Sequence, residues 1–169
     1  MAVREVVTYP KVTLRKKAEA VSEVTEEIRE LIRDMKETMY ISQGIGLAAP
    51  QLGVNRRVIV VDVTPYDPDQ EPFALINPEV VSGEGEVDST EGCLSVPDLL
   101  ETIKRKEKVT VRGFDEEGKE VEIEATGMLA ICLQHEIDHL NGTTIVERLS
   151  PVKRDLIRSK LKKAARDET

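Results

Sequence analysis

The chain has no tryptophan, few aromatic residues, no long apolar run and no surplus of basic residues. Its longest uncharged apolar stretch, residues 128–133, is far shorter than the roughly 20 residues that a membrane-spanning helix needs. The first residues, which include Arg4 and Glu5, lack the apolar core of a signal peptide. A net charge of -8 argues against a protein that covers nucleic-acid phosphates. We therefore expect a cytoplasmic protein that has neither a membrane nor DNA as a partner.

Cysteine is also scarce. Cys93 and Cys132 are the two in the chain, which is too few for a disulfide framework. A reducing compartment keeps both as thiols, available for packing or for metal binding. Their neighbours in the sequence have to decide between these two uses.

Three segments have helical patterns. Residues 25–42 place apolar side chains at helical spacing behind Thr25, a suitable N-cap, and predict an amphipathic N-terminal helix. Residues 128–140 are apolar on nearly every side, as in a helix buried at the centre of a fold. Residues 151–169 begin with Pro151, which suits a first helical turn, and hold seven basic residues against three acidic ones. This last segment is predicted to be a basic C-terminal helix.

The remaining pattern predicts strands. Residues 58–63 and 73–82 are rich in β-branched and apolar residues, the second segment being interrupted by Asn77-Pro78. Residues 108–125 alternate apolar and polar side chains on both sides of a turn sequence and predict a hairpin. With 169 residues, the chain has the size of one domain. We expect a single α+β domain in which mostly antiparallel sheets pack around the buried helix.

The strongest chemical signal is the sequence His135-Glu136-Ile137-Asp138-His139 in the predicted buried helix. A spacing of four residues puts both imidazoles on one helix face, where together they can bind a metal. Glu136 points to the side of that face, where its carboxylate can handle protons without being a ligand. An ordinary polar patch fits this segment poorly, because burying these groups without an ion costs several kcal/mol.

A catalytic metal usually takes three protein ligands, so the two histidines need a partner. Cys93 is the best candidate, because Gly92 before it and Pro97 after it favour a turn that brings a thiolate close to another element. Cys132 lies in the apolar turn before His135 and is assigned to the core or to a pocket lining. A third segment, residues 44–51, combines small residues with the single amide of Gln51 and is a weak signal by itself.

Together, residues 44–51, 91–97 and 134–142 resemble the three signature motifs of the peptide deformylase family, in the same order and with similar spacing. The resemblance extends to the N-terminal segment 14–18 and covers the chain up to Pro151. It implies a single catalytic domain, residues 1–169, that removes the formyl group from the N-terminal formyl-methionine of newly made polypeptides and releases formate.

The resemblance also implies roles for the motif residues. Cys93, His135 and His139 would bind one divalent metal, with Fe²⁺ as the natural metal and Zn²⁺, Ni²⁺ or Co²⁺ as substitutes. Glu136 would take a proton from the attacking water and pass it to the leaving amine. The side chain of Gln51 and the backbone N–H of Leu94 would stabilise the oxyanion.

The substrate's methionine side chain needs an apolar pocket. Residues on or beside the helix face of His135 are predicted to form it, with one residue of the first motif opposite; these are Met128, Ile131, Cys132 and Ile45. The resemblance implies that the peptide backbone adds as an extra strand near Gly46 and Gly92. Nascent formyl-methionyl peptides are thus the expected partners, and the basic helix 151–169 is a candidate for contact with the ribosome.

Two other classes of protein share part of this pattern. A zinc endopeptidase also carries H-E-x-x-H, but its third ligand is expected from a downstream helix rather than from an upstream cysteine. A non-catalytic binding module could use the metal only to hold the fold together. Such a module would be expected to lose the proton-handling residue first, whereas Glu136 and Gln51 are both present.

Overall fold

The structure is a computed structural model that describes residues 3–9 and 11–167. The last two residues of the predicted C-terminal segment, 168 and 169, lie outside the described residues. Within the described ranges the chain forms three α-helices and seven strands. In chain order they are α1 (Glu26–Ile41), β1 (Gly46–Ala48), β2 (Val58–Val61), β3 (Phe73–Glu84), β4 (Val87–Cys93), β5 (Val96–Arg105), β6 (Lys108–Phe114), β7 (Glu120–Thr126), α2 (Gly127–Leu140) and α3 (Pro151–Asp167). Short 3₁₀ turns cover Val12–Arg15, Ala49–Leu52 and Ile145–Arg148.

All strand pairs are antiparallel. One sheet has the order β1-β2-β3-β6-β7, and β4 pairs with β5 in a separate hairpin. The predicted α+β class with antiparallel sheets, an N-terminal helix and a C-terminal helix is therefore confirmed. None of the described helices has the length and apolarity that crossing a membrane requires.

The core lies on both faces of the larger sheet. On one face Ile59 and Val61 of β2 pack in a cluster with Leu133 of α2, and on the other Val58 and Val60 pack with the apolar side of α1. Every residue of β2 is buried, because helices cover both faces of this strand. The sheet thereby fixes α2 at the back of the cavity described below.

The ends of α1 and α2 follow from local chemistry. The Thr25 side chain accepts a hydrogen bond from the backbone N–H of Ile28, which confirms the predicted N-cap of α1. Gly127 adopts φ +60°, a conformation that glycine reaches without strain, and this turns the chain from β7 into α2. The chain leaves α2 through Asn141 and through Gly142, which has φ +76°.

The predicted hairpin forms as β6 and β7, with the carboxylates of Glu120, Glu122 and Glu124 exposed along β7. The predicted interruption at Asn77-Pro78 takes the form of a shift in register between Ile76 and Glu79, and β3 continues beyond it to Glu84. Asn77 has φ +52°, and its amide bonds both the N–H and the C=O of Val21. The strand therefore accommodates the proline as a bulge.

Candidate active site

Three potential metal donors meet where β4 ends beside α2. Ligand atoms of Cys93, His135 and His139 all lie within 4.8 Å of one another. The sulfur of Cys93 is 3.2 Å from Nε2 of His139. Three donors at this spacing suit a catalytic metal, which keeps a further position for water or substrate.

The two imidazoles lie one turn apart on α2 and are both buried. Nδ1 of His135 is 2.8 Å from a carboxylate oxygen of Glu91. As a donor to this acceptor, Nδ1 carries the proton and leaves Nε2 available to a metal. Nδ1 of His139 is buried and has no hydrogen-bond partner among the described residues.

Cys93 reaches the cluster because of the β4–β5 hairpin. It pairs with Val96 across a turn formed by Leu94 and Ser95. The register shifts between Glu91 and Cys93, as in a β-bulge, and such bulges redirect side chains at the ends of strands. The turn also puts the backbone amide of Leu94 directly after the sulfur-bearing residue.

The electrostatics of the cluster favour a positive charge between its members. Burial raises the pKa of the Cys93 thiol, but charge interactions and hydrogen bonds with His139 and His135 outweigh burial, so the pKa lies well below its usual value. Burial lowers the pKa of His135, but Glu136, Cys93 and Glu91 outweigh it, so that pKa lies well above its usual value. A thiolate at Cys93 beside two imidazole rings is a donor set that fits a divalent cation.

Glu136 faces the same cavity and is 4% exposed. Its Oε1 has no hydrogen-bond partner among the described residues. Burial raises its pKa above the usual value, although the imidazoles of His135 and His139 act in the opposite direction. A Cβ atom on Gly46 would lie 2.5 Å from Oε2 of Glu136, so any larger residue at this position would force the carboxylate to move.

The amide of Gln51 has a fixed orientation. Its Oε1 accepts a hydrogen bond from the backbone N–H of Ala48 at 2.9 Å. Its Nε2 donates to the hydroxyl of Ser95 at 3.2 Å and to the sulfur of Cys93 at 3.6 Å. The weakest of the three sequence signals thus has its amide N–H group directed at Cys93, one of the potential metal donors.

A cavity of about 660 Å³ opens beside the cluster. His139 lies behind it and is 1% exposed. All the other residues that the sequence singled out line its wall: Ile45, Gly46, Gln51, Gly92, Cys93, Leu94, Met128, Ile131, Cys132, His135 and Glu136. Cys132 is buried, and its thiol donates to the backbone oxygen of Ile45 at 3.6 Å, which links the two predicted walls of the pocket.

A family model described as polypeptide deformylase matches residues 3–155. The chain belongs to the polypeptide deformylase family. Membership makes it a metal-dependent hydrolase, and the cluster of Cys93, His135 and His139 is a possible site for the metal. The family acts on newly made peptides.

Relatives in this family cover nearly the whole chain. The peptide deformylase of Thermodesulfovibrio yellowstonii is 54% identical over 162 residues, which is 96% of this chain and 98% of that protein. The peptide deformylase of Syntrophobacter fumaroxidans is 47% identical over 169 residues, covering 100% and 99% of the two chains.

Solved structures of the family have the same fold. The crystal structure of a peptide deformylase from Legionella pneumophila superposes with a TM-score of 0.89 at 47% identity, covering 99% of this chain and 98% of that one. Peptide deformylase from Ehrlichia chaffeensis in complex with actinonin gives a TM-score of 0.90 at 44% identity, with 97% and 98% covered.

Sequence reasoning missed the carboxylates and arginines around the donors. Glu91 bonds His135, and Arg105 joins Glu91 to Asp138. Glu91 and Asp138 lie inside the motif segments 91–97 and 134–142, but nothing in the sequence connects them with Arg105. A charged residue twelve positions after the predicted cysteine ligand has no local signal, because its partners are brought together only by the fold.

Proposed function

We propose that this site removes the formyl group from the N-terminal formyl-methionine of newly made polypeptides and releases formate. The observation that carries the proposal is the convergence of Cys93, His135 and His139 with the buried carboxylate of Glu136 in one cavity. A buried carboxylate whose Oε1 has no hydrogen-bond partner among the described residues, beside three potential metal donors, suits proton transfer during amide hydrolysis. In this proposal α2 is the central helix that carries the catalytic motif, and residues 1–169 act as one catalytic domain.

One divalent metal would be held by Cys93, His135 and His139. Such a metal polarises a carbonyl group and makes water more acidic. Thiolate and imidazole donors accept Fe²⁺, Zn²⁺, Ni²⁺ and Co²⁺. We take Fe²⁺ as the native metal, because the family resemblance favours iron. Elemental analysis of protein prepared without oxygen tests this choice, and stoichiometric zinc in a fully active preparation would contradict it.

The protein's own groups then divide the work. Glu136 accepts a proton from the attacking water and delivers it to the amine nitrogen as the C–N bond breaks. The N–H of Gln51, fixed by its bond to Ala48, donates to the oxygen that becomes negative in the tetrahedral intermediate. The backbone N–H of Leu94, in the turn after Cys93, is proposed as the second donor.

The apolar part of the cavity is proposed to bind the methionine side chain. Met128, Ile131 and Cys132 line it from α2, and Ile45 lines it from the segment before β1. This position puts the side chain beside the donors, so that binding also orients the formyl group.

The peptide backbone is proposed to add between β1 and β4, beside Gly46 and Gly92. Both strands are edges, since β1 pairs only with β2 and β4 only with β5 within the described residues. Gly46 and Gly92 line the cavity at these edges. An extended peptide can therefore satisfy its hydrogen bonds with main-chain groups on either side.

The decisive experiment measures formate release from formyl-Met-Ala-Ser by ferrous-loaded protein. We expect wild type to be active and Glu136→Gln to lose about 10²- to 10⁴-fold in kcat/KM while retaining its metal. Glu124→Gln, an exposed carboxylate on β7, is the matched control and should retain full activity. No release by folded, metal-loaded wild type would reject the function. Full activity of Glu136→Gln would reject the role of its carboxylate.

Helix α3 is proposed to contact the ribosome in the cytoplasm, where new polypeptides emerge. Its support is the excess of basic residues after Pro151 and the exposure of Val152 and Leu156 on its surface. Deleting residues 151–169 should reduce cosedimentation with ribosomes while formate release continues. Unchanged cosedimentation of the shortened protein would contradict the proposal.

A further inference from the structure

Arg105, at the end of β5, is a buried cation that joins the two elements carrying the metal donors. Its side chain is 2% exposed. Its Nε and one terminal nitrogen bond both carboxylate oxygens of Glu91 on β4, at 2.9 and 2.7 Å. Its other terminal nitrogen bonds Asp138 on α2 at 2.6 Å. A single guanidinium therefore bridges β4 and α2.

Both carboxylates are directly linked to a metal donor. Glu91 stands two residues before Cys93, and it also accepts the hydrogen bond of His135. Asp138 immediately precedes His139. A movement of the Arg105 side chain would thus be transmitted to Cys93 along β4, to His135 through Glu91 and to His139 along α2.

The geometry requires arginine. Its planar fork offers five donors and can bind one carboxylate with two nitrogens while the third reaches another carboxylate. Lysine keeps the charge but has a single nitrogen, which cannot reproduce this arrangement. Arg148 also donates to both carboxylate oxygens of Asp138, at 2.9 and 2.6 Å, so two arginines, Arg105 and Arg148, hold Asp138.

We propose that Arg105 is a positioning residue for the metal donors. It fixes the position of β4 relative to α2 and, through Glu91, keeps Nε2 of His135 directed at the metal. The proposal rests on the proposed function, because it needs a metal at Cys93, His135 and His139. Outer groups that orient ligands typically change metal affinity by about 10- to 100-fold when they are altered. An ordinary structural ion pair would change the stability of the fold and leave the metal's surroundings as they are.

The test compares wild type with Arg105→Lys, using Co²⁺ as the metal. We expect Arg105→Lys to raise the Co²⁺ dissociation constant at least about tenfold in chelator competition. We also expect a change in the visible absorption of bound Co²⁺, and a fall in kcat with little change in KM. The matched control is Arg112→Lys, an exposed arginine that pairs with Glu120 and Glu122 and should leave all three quantities unchanged.

Each outcome decides the matter. A folded Arg105→Lys protein with unchanged Co²⁺ affinity and absorption overturns the proposal, whether or not its Tm falls. If this variant does not fold, Asp138→Asn takes its place: the same loss of affinity and spectral change support the proposal, and wild-type values overturn it. Wild type that binds no Co²⁺ would reject the proposed metal site, and with it this role. Wild type that binds while the variants match it would reject the positioning role alone.

Discussion

Helices α2 and α3 are similar in length, with 14 and 17 residues, but they lie in opposite environments. Most residues of α2 are buried, including both histidines and Glu136. Among the α3 side chains that the structure describes, none is buried, and the apolar contacts of the helix with the domain are made by Ile157 and Leu161. A buried helix must match its neighbours at nearly every position, whereas an exposed helix is constrained only where it touches something. Contacts therefore constrain most positions of α2 but only a few positions of α3.

The largest predicted effect compares one leucine from each helix. Leu133 on α2 is fully buried, and Leu133→Ala should lower the free energy of unfolding by about 2–5 kcal/mol through the lost apolar contacts and the cavity left behind. Leu156 on α3 is 68% exposed, and Leu156→Ala should change stability by less than about 0.5 kcal/mol. Urea unfolding of the two variants checks this. Equal losses of unfolding free energy would mean that the Leu156 side of α3 is packed against other groups in solution.

The next effect concerns Gly46, which lies in the wall of the cavity that faces α2. Gly46→Ala would push a methyl group into Oε2 of Glu136 and the sulfur of Cys132, at 2.5 and 2.8 Å. Displacing the carboxylate by about 1 Å should lower kcat/KM by about 100-fold. Gly83→Ala is the control, because its nearest neighbour, at 3.1 Å, is the flexible side chain of Lys106. Wild-type formate release by Gly46→Ala would show that Glu136 is free to move.

A smaller effect separates the two sides of α3. Ile157 is partly buried against the domain, so Ile157→Ala should reduce stability by about 1 kcal/mol, less than for a fully buried residue. Val152 is 73% exposed, and Val152→Ala should have no measurable effect on unfolding. If the two variants unfolded at the same urea concentration, the contact made by Ile157 would contribute nothing to the stability of the fold.

The smallest effect lies at the end of α1, near the wall opposite α2. Tyr40 donates to Asp62 at 2.8 Å, and burial together with this bond raises the pKa of Tyr40 to about 12. A raised pKa means that the hydroxyl stabilises the fold fully below pH 10 and loses this effect as the pH rises towards 12. Tyr40→Phe should therefore cost less than about 1 kcal/mol at pH 8.

The pair of Tyr40 and Asp62 also affects stability at low pH. Burial raises the pKa of Asp62, but hydrogen bonds from Thr64 and Tyr40 outweigh burial and lower it. The stabilisation of the fold by the Asp62 carboxylate is therefore present at neutral pH and is lost as the pH falls below the usual carboxyl value of 3.8. Unfolding measured across pH for wild type and Tyr40→Phe should show the two curves converging between pH 10 and 12. A constant difference over that interval would contradict the assignment.

Local chemistry made much of this fold predictable. The apolar spacing and the Thr25 cap gave α1, and the alternation around residues 115–118 gave the β6–β7 hairpin. The β4–β5 hairpin was not predicted, because β4 has a polar sequence and β5 contains Pro97. The β4–β5 hairpin is held by cross-strand pairs and by the buried contacts of Arg105, which no local pattern reveals.

The site divides in the same way. Residues at fixed helical spacing, such as His135 and His139, were visible in the sequence because one helical turn determines their distance. The choice of Cys93 over Cys132 rested on neighbouring residues, and the structure brings Cys93 to the histidines. Arg105 depends on contacts with residues 14 and 33 positions away, so its role appears only in three dimensions.

The larger sheet has two edges of very different character. Along β7 three exposed glutamates alternate with less exposed residues, and charges of this kind discourage a second chain from pairing with an edge. At the other edge, β1 is three uncharged residues, and its Gly46 lines the cavity. The glutamates of β7 thus discourage a second chain from pairing with one edge, and the uncharged edge beside the cavity is the one at which the peptide backbone is proposed to add.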